Sequence, residues 1–193
     1  MSNKKTVYIG LDPGKQGFIA AFDGEKRKFY RMPYHRVETG FKTKAGSPEK
    51  KSEFNEKGVV KLYEEINKDF PDSNFKVCFE LVGGRRDWSA QNTFNFGRTI
   101  GIQLAAMIML DAEIVEVRPQ RWQSFIRKPY LKEIKEAISS GKIPNESKAI
   151  AQLIAEIKHP NVNLAKSERA SKADDNKVDA LLMCDYIYEI SNQ

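Results

Sequence analysis

The sequence predicts an α/β protein built on a mixed five-stranded sheet with helices on both faces. Three observations lead there. Three short apolar runs broken by turn residues come first, at 7–11, 17–22 and 28–32. Helix-periodic and strand-like segments then alternate to the end of the chain. Between them, a nearly continuous apolar run at 75–82 has the pattern of a central strand buried on both faces. Antiparallel strands followed by alternating helices and strands fit a hairpin-led mixed sheet.

The elements follow from local chemistry. The run at 7–11 ends in Asp12-Pro13-Gly14, a turn sequence, and the run at 17–22 closes on Asp23-Gly24. Pro33 ends the third run. Residues 34–57 are polar, basic and without periodicity, and are expected to be a long loop. Val59, Leu62, Tyr63, Ile66 and Phe70 recur at helical spacing up to Pro71. After the strand at 75–82, Gly83-Gly84-Arg85-Arg86-Asp87 forms a break. A helix is expected over 89–110, where Gly97, Gly101, Ala105 and Ala106 permit close packing. A short strand at 114–117 precedes Pro119. Helices are expected at 120–138, broken at Pro129, and at 147–157. A polar loop at 166–172 leads to a last, amphipathic helix at 174–190.

At 193 residues the chain reads as a single domain over 1–193, long enough to bury a full core. Its longest apolar stretch, 100–110, is far short of the ~20 residues a bilayer span needs, and it already contains Gln103. Cys78 and Cys184 lie in apolar segments and read as reduced core residues. With no signal-like start, the expected location is the cytoplasm, or a host cell's if the chain is phage-encoded. The net charge of +6 is unevenly placed: residues 1–60 hold 13 Lys and Arg against 7 Asp and Glu, and the remainder holds 19 of each. A basic region on a balanced body suggests a polyanion partner, although a solvated surface would carry the same charge.

Four acids stand out. Asp12 ends the first strand, Glu80 interrupts the apolar strand, and Asp175 and Asp179 lie on the last helix. Asp12 alone also suits a turn, and Asp175 alone a helix start. Glu80 is harder to explain structurally, because a carboxylate among Val77, Cys78, Phe79, Leu81 and Val82 is costly unless paired or bound to a cation. At about 100° per residue, Asp175 and Asp179 share a helix face, whereas Asp174 is turned about 140° from Asp179. Carboxylates gathered without a His or Cys cluster suit Mg²⁺. Two such ions about 3.5–4 Å apart activate water and stabilise the leaving oxygen of a phosphodiester. His35 and His159, the only histidines, lack zinc-ligand spacing and are expected at the surface.

With these residues in view, the chain resembles the RuvC-like Holliday-junction resolvases of the RNase H-like superfamily, in particular its short phage-type members. The resemblance rests on five segments in family order: Ile9-Gly10-Leu11-Asp12-Pro13-Gly14, Phe79-Glu80-Leu81-Val82-Gly83, Phe94-Asn95-Phe96-Gly97-Arg98, Val117-Arg118-Pro119-Gln120-Arg121-Trp122 and Asp175-Asn176-Lys177-Val178-Asp179-Ala180-Leu181-Leu182. It implies an RNase H-like sheet, metal-dependent phosphodiester cleavage by Asp12, Glu80, Asp175 and Asp179, and a homodimer that cuts a four-way junction symmetrically. The expected cofactor is Mg²⁺, two ions per site, with Mn²⁺ able to substitute. Bacterial members space the last two acids by three, whereas this chain spaces them by four, as phage-type members do; Asp174 is the reserve ligand.

Secondary candidates lie nearby. Arg85, Arg86 and Trp88 follow the catalytic strand and suit phosphates and an unpaired base, or equally a helix entry with a half-buried Trp. Lys148 suits the scissile phosphate or a solvated position, and Trp122 reads as core. A nuclease acting on other branched, single-stranded or hybrid nucleic acid would use the same acids. A sugar kinase or actin-like ATPase needs a duplicated domain and a second phosphate loop, for which 193 residues leave no room. A catalytically dead DNA-binding module would not be expected to keep all four acids.

Overall fold

The structure, a computed structural model, describes residues 4–14, 17–81, 83, 87–165, 170 and 172–193. In chain order the elements are β1 (Thr6–Leu11), β2 (Phe18–Phe22), β3 (Arg27–Arg31), β4 (Tyr34–Lys42), β5 (Pro48–Phe54), α1 (Glu56–Asp69) and β6 (Asn74–Glu80). Then follow α2 (Ala90–Met109), β7 (Glu113–Val117), α3 (Pro119–Arg127), a 3₁₀ turn at Lys128–Tyr130, α4 (Leu131–Ser139), α5 (Ser147–Lys158) and α6 (Asp175–Ser191). The expected five-stranded mixed sheet is present, in the order β3-β2-β1-β6-β7. The first three strands are antiparallel neighbours, and β1-β6 and β6-β7 are parallel pairs.

Strand alternation decides which face each side chain takes. Val7, Ile9 and Leu11 of β1 join Phe75, Val77 and Phe79 of β6 in one core with Val59, Leu62 and Ile66 of α1 and Ala106 and Met107 of α2. The alternate residues face the other layer, where Cys78 packs with Trp122, Ile126, Ile154, Leu181 and Leu182. Helices therefore cover both faces, as the composition of the strands predicts.

The tightest contact in this second layer is between β1 and α6. A Cβ on Gly10 would sit 2.1 Å from the Ala180 carbonyl oxygen and 2.3 Å from the Cys184 nitrogen. Only a residue without a side chain lets the helix backbone rest directly on the strand. Helix α6 is buried from Ala180 to Ile187 on all sides, Asp185 included. The amphipathic helix expected at 174–190 is thus corrected to a central one: the sheet covers one side, and α3 and α5 cover the other.

Two further expectations change. Residues 34–57 are not a loop: β4 and β5 form a separate two-stranded antiparallel sheet. The pairing leaves no alternating apolar pattern because neither face is buried, so sequence periodicity has nothing to register. Its tip is closed by Thr43 N–H donating to Ser47 O at 2.8 Å, and Gly40 and Gly46 take positive φ at the bulge and the tip. His159 is not a surface residue either. Its Nε2 lies 2.6 Å from Asp185 Oδ2, where Lys158 Nζ also approaches to 3.0 Å, and Arg27 donates to Oδ1 at 3.0 Å. Burial alone would raise the Asp185 carboxyl, but the bond to His159 and the charges of Lys158 and Arg27 hold it below the usual carboxylate range. The cluster ties β3, the end of α5 and α6 together.

Gly10→Ala should cost ~1–3 kcal/mol or more, because the atoms it meets are helix backbone that cannot rotate away. Chemical denaturation checks this; a variant as stable as wild type would mean that α6 does not rest on β1 at this point.

Candidate active site

The parallel register of β1 and β6 sets the site's geometry. Gly10 pairs with Cys78 and Leu11 with Phe79, so the same offset carries Glu80 level with Asp12. Both acids belong to the alternate set that faces α6, one at each strand's C-terminal end. Crevices outside the carboxyl ends of parallel strands are where α/β proteins place their ligands. The close contact at Gly10 then brings the start of α6, with Asp179 beside Ala180, to the same corner.

Asp12 sits in a tight turn. Gly14 N–H donates to its Oδ1 at 3.2 Å, and Gly17 N–H closes the turn on Gly14 O at 2.8 Å. Any Cβ on Gly17 would be 2.1 Å from the Asp12 carbonyl oxygen. From behind, the fully buried Gln103 of α2 donates to Pro13 O at 2.9 Å. The polar residue noted inside the apolar stretch 100–110 thus supports the turn that carries Asp12. Glu80 is half-buried, and Oε1 accepts from Trp122 Nε1 at 2.9 Å. Trp122 is core, as expected, with 1% exposure, but it also holds an acid, a link between residues 42 apart that no local pattern signals.

At the start of α6, Asp174 is the N-cap and accepts from Asn176 N–H at 3.1 Å. Its backbone is extended, φ −90° and ψ 117°, so helical angle counting does not describe where it points. It is buried, and its charge acts on Asp12. Asp175 occupies the first helical turn, where the helix dipole favours a carboxylate, and its Oδ2 accepts from Lys148 Nζ at 2.8 Å. The charges of Asp175, Asp12 and Glu80 all act on Asp179. The structure therefore gathers Asp12, Glu80, Asp174, Asp175 and Asp179 around one corner, with the exposed Lys148 at its rim. Lys177 is directed elsewhere, donating to Asn163 O at 2.6 Å.

Burial pushes Asp12 up to about 6, with the charges of Glu80 and Asp174 adding to it. Burial likewise pushes Asp179 up to about 7, helped by Asp12, Glu80 and Asp175. Glu80 is raised by burial against the opposing bond from Trp122. Among the described residues, no three His, Cys, Asp or Glu side chains are close enough together to hold one ion. All the gathered groups are nonetheless hard oxygen donors whose mutual repulsion a cation would relieve. As a donor set, carboxylate oxygens are of the kind that hard divalent cations take.

Trp88, half-buried, meets Phe96 edge-on at 5.0 Å. Both line a cleft of about 940 Å³ between the base of the β4-β5 hairpin and the first turns of α2. Arg85 and Arg86 lie outside the described residues. No helix among the described residues is long and apolar enough to cross a membrane.

No protein-family model matches this chain, and no curated protein does. Among solved structures it is similar to Thermus thermophilus RuvC, at 10% identity and TM-score 0.47 over 96% of each chain. It is similar also to T. thermophilus RuvC in complex with a Holliday junction substrate, at 10% identity and TM-score 0.48 over 96% of each chain. A third similar structure is the yeast mitochondrial Holliday junction resolvase Ydc2, at 12% identity and TM-score 0.44, over 98% of this chain and 81% of that one.

A carboxyl whose pKa is higher folded than unfolded holds its proton more tightly in the folded state. The metal-free protein therefore loses stability from these groups as pH rises from about 4, the unfolded value, through about 6 and 7. Asp185, held low, acts in a separate window below about pH 4. In EDTA at pH 8, Asp179→Asn should melt several degrees above wild type, at about 2–4 °C per kcal/mol for a chain of this size, with the gap narrowing as pH falls and closing near pH 4. Thermal melts across that range check this, and equal melting temperatures at pH 8 would contradict it.

Proposed function

We propose that this chain is a structure-selective DNA endonuclease that cleaves four-way junctions, with Mg²⁺ held by Asp12, Glu80, Asp175 and Asp179. The observation that carries this is the gathering of partly buried, mutually repelling carboxylates at the ends of two parallel strands and the start of α6. Acids held together in that arrangement cost stability, and a bound cation would offset that cost. Bound Mg²⁺ would supply water activation and stabilisation of the leaving oxygen in phosphodiester hydrolysis. The motif resemblance supports this choice of chemistry.

The chain's own residues have separable tasks. Asp12 and Glu80 are held by the strands and change little in position. Asp179 is fixed by the seating of α6; Asp175, bonded to Lys148, would turn to a cation when one is bound, leaving the lysine for a phosphate oxygen. The basic hairpin β4-β5, with Arg36, Lys42 and Lys44 making no ion pair among the described residues, supplies contacts to a DNA arm. Arg85, Arg86 and Trp88 serve the junction centre, the tryptophan by stacking on an unpaired base.

A four-way junction has two equivalent scissile strands, so the working form is a homodimer. Helix α2 offers the surface for it. Phe94, Gly97, Gly101, Ala105 and Ile108 fall on one face, Phe94 and Ile108 are 65% and 66% exposed, and a Cβ at either glycine would meet nothing within 4 Å.

Amide substitutions test the assignment. Asp12→Asn, Glu80→Gln, Asp175→Asn and Asp179→Asn should each lower junction cleavage by orders of magnitude while junction binding persists. Asp174→Asn keeps the helix cap and should cleave within a few fold of wild type. Cleavage assays on junction, flap, duplex and RNA–DNA hybrid substrates give the comparison. An inactive Asp174→Asn beside an active Asp175→Asn would make the cap residue the ligand, and wild-type cleavage by all five would end the nuclease reading.

A further inference from the structure

Two contacts fix Glu80, and both come from the segment that runs from β7 into α3. The Glu80 backbone pairs with Val117 of β7, and the bond from Leu81 N–H to Val117 O at 2.8 Å carries that pairing one residue beyond the acid. After Val117 the chain turns through Arg118, the cap of α3, into Pro119 at the helix start. The first turn of α3 therefore has little freedom relative to β7. Trp122, on that turn, is 1% exposed and packed among core residues of α3, α5 and α6. Its ring is wedged in place, and its N–H is a donor with no acceptor capacity.

A buried indole N–H needs a partner, and any backbone carbonyl would satisfy it. Here it instead takes Glu80 Oε1 at 2.9 Å. Among the described residues, Oε2 of Glu80 accepts no hydrogen bond. The two carboxylate oxygens are thereby made unequal: one is tied to a rigid ring, and the other is left to the acid corner. We propose that Trp122 is a positioning residue for Glu80, engaging Oε1 so that Oε2 is the oxygen presented to the cation. This rests on the metal-dependent reading above. Bonds to the groups behind a metal ligand fix its orientation, and losing one typically weakens metal affinity about 10–100-fold.

The test uses the full chain without DNA, with Mn²⁺ as probe, its binding followed by electron paramagnetic resonance. Trp122→Phe keeps most of the ring and removes the donor. Ile126→Ala, one turn along the same helix and 3% exposed, removes packing but leaves the bond. Trp122→Phe should bind Mn²⁺ about 10–100-fold more weakly, and Ile126→Ala should bind like wild type even where it melts lower. Unchanged affinity in Trp122→Phe, or an equal loss in Ile126→Ala, would overturn the assignment and leave Trp122 as packing alone. Should Trp122→Phe not fold, ¹⁵N spectra of the wild type decide. Trp122 has one of two indole resonances, told apart with Trp88→Phe, and it should shift as Mg²⁺ is added. An unmoved Trp122 indole would overturn the proposal. A wild type that takes up no Mn²⁺ removes the metal site itself, an outcome distinct from wild-type binding that Trp122→Phe leaves intact.

Discussion

The seating of α6 on β1 at Gly10 is the contact on which the other features of the fold and site depend. A strand and a helix ordinarily meet through their side chains. Here the helix backbone comes to within 2.1 Å of where a Cβ would stand. That closeness makes α6 the centre of its layer, and it is why this helix is buried nearly all round. It also places Asp179, the residue before Ala180, beside the strand end that carries Asp12. Had the helix been held off by even an alanine, the acids of strand and helix would be separated by the width of a side chain.

The site that results is electrostatically strained by the positions of its acids. Parallel strands in register carry Asp12 and Glu80 to one level, and the helix adds Asp179, Asp175 and the cap Asp174. Burial and mutual repulsion raise Asp12 to about 6 and Asp179 to about 7, while the cation paired within the cluster, Lys148, sits exposed at the edge. Asp185 on the same helix behaves in the opposite way. That carboxylate is more deeply buried yet held low, because Arg27, Lys158 and His159 surround it. One helix thus carries Asp185, which basic neighbours hold low, and Asp179, which burial and the neighbouring acids push up.

Much of this was legible in the sequence, for particular reasons. The strands of the main sheet are buried on one or both faces, so their apolar runs marked them, and Glu80 stood out because it broke such a run. The β4-β5 hairpin was illegible because it is held by backbone pairing with both faces exposed, which leaves no periodic trace. Asp174 was misplaced by helical angle counting because a cap residue does not have helical dihedrals. The bond from Trp122 to Glu80 spans 42 residues and depends on where α3 lands, which no spacing encodes. Gln103 was marked by its polarity within an apolar stretch, but its partner Pro13 was not.

Whether this acid corner cuts branched DNA at symmetric positions is decided by mapping the products. A synthetic four-way junction labelled on each strand in turn is incubated with the protein and Mg²⁺, and the cut positions are read at single-nucleotide resolution. Paired nicks are expected at positions related by the junction's two-fold axis, absent in EDTA and absent from linear duplex of the same sequence. Nicks on one strand alone, equal cutting of linear duplex, or undiminished cutting in EDTA would contradict the symmetric, metal-dependent cleavage proposed for these acids.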